Sequence, residues 1–222
     1  MSSVGENWRG VVARVVAAAE RAGRAPEEIR ICAVTKYSAL PAIREAVAAG
    51  ARLLGESRVQ DAAPKIEAGV EGAEWHLIGH LQRNKARRAV ELFEVVQSVD
   101  SLALAARLAD LGEERGRAVR GFLEVNTSGE GSKTGMPLAA AEAALEEIRR
   151  LPGLEIRGLM TMAPFTEDEE AIRKSFRSLR ALRDAAGGPA ALPELSMGMS
   201  NDFEIAVEEG ATLVRVGTAI FG

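Results

Sequence analysis

Lys36 closes the apolar run 29–36 (IRICAVTK) and is one of only five lysines in the chain. The others, Lys65, Lys85, Lys133 and Lys174, fall in stretches of helical or loop character. In an extended run Cys32, Val34 and Lys36 share one face, and Ile31, Ala33 and Thr35 share the other. If the first face points inward, the Lys36 ammonium is partly desolvated, which favours a neutral amine able to attack an aldehyde. A surface lysine at a strand terminus is the competing reading. Arg215 lies in a second apolar run, 212–217 (TLVRVG), on the same face as Leu213 and Gly217. Turned inward it is a buried cation that needs a partner; turned outward it reaches solvent past the helices. Ser200-Asn201-Asp202 precedes a helical stretch, so free N–H groups and the helix dipole there suit an anion. Gly217-Thr218 offers a second backbone approach with a hydroxyl beside it. Ordinary helix capping by Ser200 is the simpler alternative, and the coincidence of the two loops favours a phosphate.

Other motifs carry less. The segment 129–135 (GEGSKTG) looks like a phosphate loop, but a Walker motif requires Gly before its Lys and here Ser132 stands there. His76 and His80 lack a third ligand at useful spacing, so no metal is expected. His76 reads as a packed strand residue, His80 as the start of a loop, and Cys32 as packing below the mouth of the fold. Arg83, Lys85, Arg87 and Arg88 read as a solvated helix face, with weak anion binding as the alternative.

These residues must be held by a repeated pattern of elements. A helix over 6–22 precedes strands at 29–36, 51–56, 75–79, 94–98, 119–126, 154–162, 195–197 and 212–217. Helices are predicted between them over 41–49, 59–68, 82–92, 102–115, 138–150, 168–185 and 202–209. Eight strands alternating with helices point to a single (β/α)8 TIM barrel with an additional N-terminal helix. An open doubly wound sheet is the runner-up, and its glycine fingerprint after the first strand is missing. In a barrel the site forms at the C-terminal strand ends, where Lys36, Glu56, His80, Asp100, Asn126, Ser200 and Arg215 would gather.

Composition narrows the partners. The chain has 222 residues, 47% of them hydrophobic, and a net charge of −4, which argues against a nucleic-acid backbone. No apolar run reaches the roughly 20 residues of a membrane span, so no membrane partner is expected. The stretch 11–19 is broken by Arg14 and lacks a signal-peptide cleavage pattern. One cysteine forbids an internal disulfide, and a cytoplasmic location is expected.

Several segments together carry a family resemblance: AVTK at 33–36, GESRVQ at 55–60, WHLIGHLQRNK at 75–85 and SVDS at 98–101. It continues through EVNTSGEGSKTG at 124–135, GLMTM at 158–162 and LSMGMSNDFEIAVEEGATLVRVGTAIFG at 195–222. The chain resembles the pyridoxal 5'-phosphate (PLP) homeostasis protein family. The resemblance implies one PLP-binding domain over 1–222, similar to the N-terminal barrel of alanine racemase. It implies PLP held as an internal aldimine on Lys36, with Arg215 facing the pyridine nitrogen. Ser200, Gly217 and Thr218 would hold the phosphate. Where the family usually reads Gly-Glu-Asn, this chain has Gly55-Glu56-Ser57, and relatives usually run a few residues beyond Gly222.

The implied role is to buffer or deliver PLP inside the cell without substantial turnover, with PLP-dependent apoenzymes as recipients and a monomer as the working form. Two chemical arguments agree. A PLP ring is a strong electron sink when its nitrogen is protonated, whereas arginine only donates hydrogen bonds and favours the unprotonated ring. A racemase of this kind also needs a tyrosine as second base, and the one tyrosine here, Tyr37, should alternate away from the site beside Lys36. The alternatives are a PLP-dependent amino-acid racemase or related lyase, and a PLP-free Schiff-base aldolase in the same fold.

Overall fold

Eight parallel strands, each followed by a helix or short turn-helix, curl into a ring. In the computed structural model, which describes residues 2–130 and 134–222, they are β1 (Arg30–Val34), β2 (Leu53–Glu56), β3 (Glu74–Leu77) and β4 (Val95–Val99). The second half is β5 (Val119–Asn126), β6 (Leu154–Met160), β7 (Glu194–Ser196) and β8 (Leu213–Val216). Neighbours pair in parallel around the ring, β8 returns to β1, and the β4–β5 pairing closes it. The expected barrel is therefore present. Gly131, Ser132 and Lys133 of the rejected phosphate-loop reading lie outside the described residues.

The helices are α1 (Val4–Arg21), α2 (Leu40–Ala48), α3 (Val59–Glu67), α4 (Ala86–Leu92) and α5 (Leu102–Glu114), then α6 (Leu138–Ile148) and α7 (Glu169–Ala185). Three short ones follow: α8 (Gly188–Ala191), α9 (Phe203–Glu208) and α10 (Thr218–Phe221). Ser3 and Glu6 form a capping box that starts α1 at Val4, two residues before the predicted start. α1 packs across α2, α9 and α10 on the outside of the ring. Two elements were not legible beforehand. Met136–Pro137 adds a two-residue pairing beside β5, and α10 turns the chain immediately after β8.

Alternation along the strands separates two cores. One lies between the ring and its helices and takes Ala33, Leu54, Leu77, Val96 and Val214. The other fills the ring, from Cys32, Leu53, Val95, Phe122, Met160 and Leu213. Burying side chains of this size is worth about 1.5–3 kcal/mol each. The inner packing is tight: a side chain on Gly55 would bring its Cβ to 2.6 Å from Cys32 Sγ. Burial pushes the Cys32 thiol up to about 12, so it is an inert packing group, as its position in the sequence suggests. Among the described residues no helix is long and apolar enough to cross a membrane.

Candidate functional site

A cavity of about 350 Å³ opens at the C-terminal end of the ring. Its wall includes Lys36, Ser200, Arg215, Gly217 and Thr218, so the five site candidates meet in one place. His80, Glu124, Asp202 and Ser57 are among the other polar groups on the wall.

Lys36 departs from the expectation of a desolvated strand residue. β1 ends at Val34, and Thr35 still bonds to β2, its N–H donating to Gly55 O at 2.9 Å. Ser38 N–H then donates to Thr35 O at 2.9 Å, and Lys36 and Tyr37 form an exposed turn. With the strand ended, alternation no longer separates these two side chains. Lys36 Nζ lies 5.3 Å from the centre of the Tyr37 ring, and Tyr37, 92% exposed, is not part of the cavity wall. The turn is braced from below. Lys65 Nζ donates to Thr35 O at 2.7 Å and pairs with Glu56, which is fully buried and also accepts from Thr35 Oγ1 at 2.9 Å. Removing one partner of such a buried pair strands a charge, so the brace fixes where Lys36 leaves the barrel.

Arg215 is turned inward, settling the open alternative for that residue. Its Nη1 donates to Ser196 Oγ at 2.7 Å and its Nη2 to Thr161 O at 2.8 Å. Burial pushes the guanidinium below its ordinary value, against the attraction of Asp202 and Glu124, but an arginine stays a cation. From Ser196 a chain of hydrogen bonds crosses the barrel. Ser196 Oγ donates to Gln97 Oε1 (2.6 Å), Gln97 Nε2 to His76 Nδ1 (2.8 Å), and His76 Nε2 to Glu74 Oε1 (3.0 Å). The carboxylate accepts only, which assigns the imidazole proton to Nε2 and the amide orientation with it. Every link therefore points from the cavity to the far end, where Glu74 also meets Arg30 at 2.6 Å. His76 is thus more than packing, although it does stack edge-on against Phe122.

The His76 hydrogen bond, helped by Arg30, holds the Glu74 carboxyl down at about 2 against its ordinary 4.5. A depressed carboxyl contributes stability that is complete above its unfolded value and is lost as pH falls through the folded one. The melting-temperature difference between wild type and Glu74→Gln is therefore expected to be constant above about pH 4.5 and to shrink between there and about pH 2. A difference unchanged across that window in thermal denaturation would count against the assignment.

Ser200 does not cap the helix that follows it. Asp202 stands at the N-cap of α9, with Oδ1 accepting from Met199 N–H at 2.5 Å. Ser200 Oγ instead accepts from Gly217 N–H (3.2 Å) and Ala219 N–H (3.3 Å), tying the loop after β7 to the loop after β8. A Cβ on Gly217 would lie 3.3 Å from Val34 Cβ, so glycine lets the loop after β8 pack closely against β1 at the cavity edge.

Three groups went unassigned in the sequence reading. Glu124 is 2% exposed on the inner face of β5, accepts from Thr134 Oγ1 at 2.6 Å, and is pushed up chiefly by burial. Its parity with Phe122 was the available signal. The Glu56–Lys65 brace and the Asp100 partner of His80 had no local signal. The basic cluster at 83–88 behaves as a solvated face: Arg87 pairs with Glu114, and Arg88 with Glu67 and Glu91.

An exposed amine, an inward arginine and an anion-suited loop pair at the mouth of a parallel barrel define a class. The family described as "Alanine racemase, N-terminal domain" matches residues 13–222, and the chain is a barrel of that class. An alanine racemase from Clostridium difficile shares the fold at a TM-score of 0.78 and 15% identity, covering 98% of this chain and 56% of that one. The pyridoxal phosphate homeostasis protein of Escherichia coli K12 is 40% identical over 230 residues, covering all of this chain and 97% of that protein. The Pseudomonas aeruginosa protein of the same name is 42% identical over 224 residues, covering 100% and 96%. The structure of PipY from Synechococcus elongatus with PLP bound superposes at a TM-score of 0.82 with 40% identity, covering 96% of this chain and all of that one. This chain belongs to the pyridoxal phosphate homeostasis protein family.

Proposed function

We propose that this chain binds PLP covalently through Lys36 and buffers or delivers it. The observation that carries the reading is the convergence of Lys36, Arg215 and the Ser200–Gly217–Thr218 edge on one cavity. The residues fit the group: an amine for its aldehyde, a donor for its ring nitrogen, and the hydroxyls of Ser200 and Thr218 beside Gly217 for its phosphate. Bound PLP supplies a reactive aldehyde and an electron-withdrawing ring. Arg215, which can only donate, would meet the ring nitrogen as an acceptor and so keep the sink weak. Ser200 and Thr218 add hydroxyl donors, and Ser57 stands where the family usually has a longer amide. Tyr37, exposed outside the cavity wall, is badly placed as a second base. These features support a carrier without substantial turnover. We place it in the cytoplasm as a monomer, residues 1–222 acting as one domain and PLP-dependent apoenzymes receiving the cofactor.

Incubation with PLP followed by gel filtration is expected to leave a visible absorption band. Borohydride should fix a PLP-sized mass on the peptide carrying Lys36. A colourless protein with no fixed mass would overturn the reading, and robust turnover of one amino-acid enantiomer in a chiral assay would replace the carrier with a racemase.

A further inference from the structure

We infer that His80, oriented by Asp100, is the proton-transfer residue that sets how fast PLP loads onto and leaves Lys36; this rests on the covalent reading above. His80 follows β3, Asp100 follows β4, and His80 Nδ1 lies 2.8 Å from Asp100 Oδ2. The other carboxylate oxygen, Oδ1, accepts from Ser101 Oγ at 3.0 Å. A carboxylate accepts only, so Nδ1 carries a proton, and in the neutral imidazole Nε2 is the nitrogen that accepts. The backbone before His80 is pinned, because Ser98 Oγ donates to Gly79 O at 2.7 Å and a Cβ on Gly79 would come within 2.3 Å of Ser57 O. The His80 side chain is 54% exposed and lines the same cavity as Lys36, whereas Asp100 is 13% exposed behind it. A half-exposed imidazole with a sheltered carboxylate at its back is the arrangement of a general acid–base.

Lys36 gives this base a task. The lysine is an exposed ammonium stacked on Tyr37, and it must lose a proton before its lone pair can attack an aldehyde carbon. As the C–N bond forms, the C=O electron pair moves to oxygen. That oxygen must gain two protons before it leaves as water and the nitrogen lone pair closes the double bond. The ammonium starts with three protons and the product iminium keeps one, so the two surplus protons balance the water. His80 Nε2 can take each from nitrogen and return it to oxygen, with no other reactant consumed. Unloading is the same path reversed. Of the carboxylates on the wall, Glu124 is 2% exposed and accepts from Thr134 Oγ1, and Asp202 is 7% exposed and accepts from Met199 N–H.

A proton-transfer residue lowers one barrier crossed in both directions and leaves the equilibrium alone. His80→Gln is therefore expected to slow growth of the absorption band on mixing with PLP and its decay on dilution by the same factor, about 10²-fold, at unchanged affinity. Asp100→Asn, which keeps the imidazole and loses its orienting acceptor, should slow both by a smaller common factor. In His80→Ala, added imidazole should restore both rates in proportion to its concentration. Loading and unloading rates equal to wild type in His80→Gln would overturn the inference, as would a changed affinity with an unchanged loading rate. Failure of the wild type to form the band would instead overturn the covalent reading.

Discussion

Lys36→Ala is expected to lose the visible absorption band and the borohydride-fixed mass completely, while its melting temperature stays close to that of the wild type. Covalent capture needs a primary amine at the cavity, and among the described residues Lys36 is the lysine that lines it. Lys65, the nearest in the fold, is committed to Glu56 and Thr35 O. Stability should hold because Lys36 is exposed in a turn and stacks only on Tyr37. Such a contact at an exposed site is worth about 0.5–1 kcal/mol. The Thr35–Glu56–Lys65 brace is untouched by the change. Lys36→Arg keeps the positive charge without the nucleophile and should lose the band equally, separating covalent chemistry from electrostatic attraction. Reversible binding through the Ser200–Gly217–Thr218 edge should survive in both variants and be visible by calorimetry. A band that persists in Lys36→Ala would mean that another amine is used.

Arg215→Met is expected to change both stability and spectrum. The guanidinium is 4% exposed and donates to Ser196 Oγ and Thr161 O inside the barrel. Methionine fills much of the volume but donates nothing, so two buried acceptors lose their partner at about 1–3 kcal/mol each. For a chain of this size each kcal/mol moves the melting temperature by about 2–4 °C, so a fall of roughly 5–20 °C is expected. Loaded with PLP, the variant should also show a displaced absorption maximum, because the donor facing the ring nitrogen is gone. An unchanged melting temperature would count against the hydrogen-bond chain to Glu74, and an unchanged spectrum would count against the ring contact. Arg215→Glu is the poorer probe, since it buries a second carboxylate in the field of Glu124.

Local pattern was enough for the architecture. Eight repeats of an extended run and a helical stretch pointed to a parallel barrel, because the two periods act over a few residues. Cys32 and Arg215, read separately in the sequence, are cross-strand partners in the ring. Lys36, Arg215, Ser200, Gly217 and Thr218 were legible as a set because each sits at a C-terminal strand end, which barrel topology brings together. Parity failed at Lys36, where the chain had already left the sheet. The turn there is closed by Ser38 N–H on Thr35 O and braced by Lys65, 30 residues from Thr35 in sequence. Only the tertiary structure decided that Ser200 binds the loop after β8, that Arg215 is linked through Gln97 and His76 to Glu74, and that His80 meets Asp100. Those pairings depend on how neighbouring strands are staggered around the ring, which periodicity within any one segment does not encode. Composition and spacing thus determined which chemical groups reach the mouth of the barrel, and the closed sheet decided which of them touch.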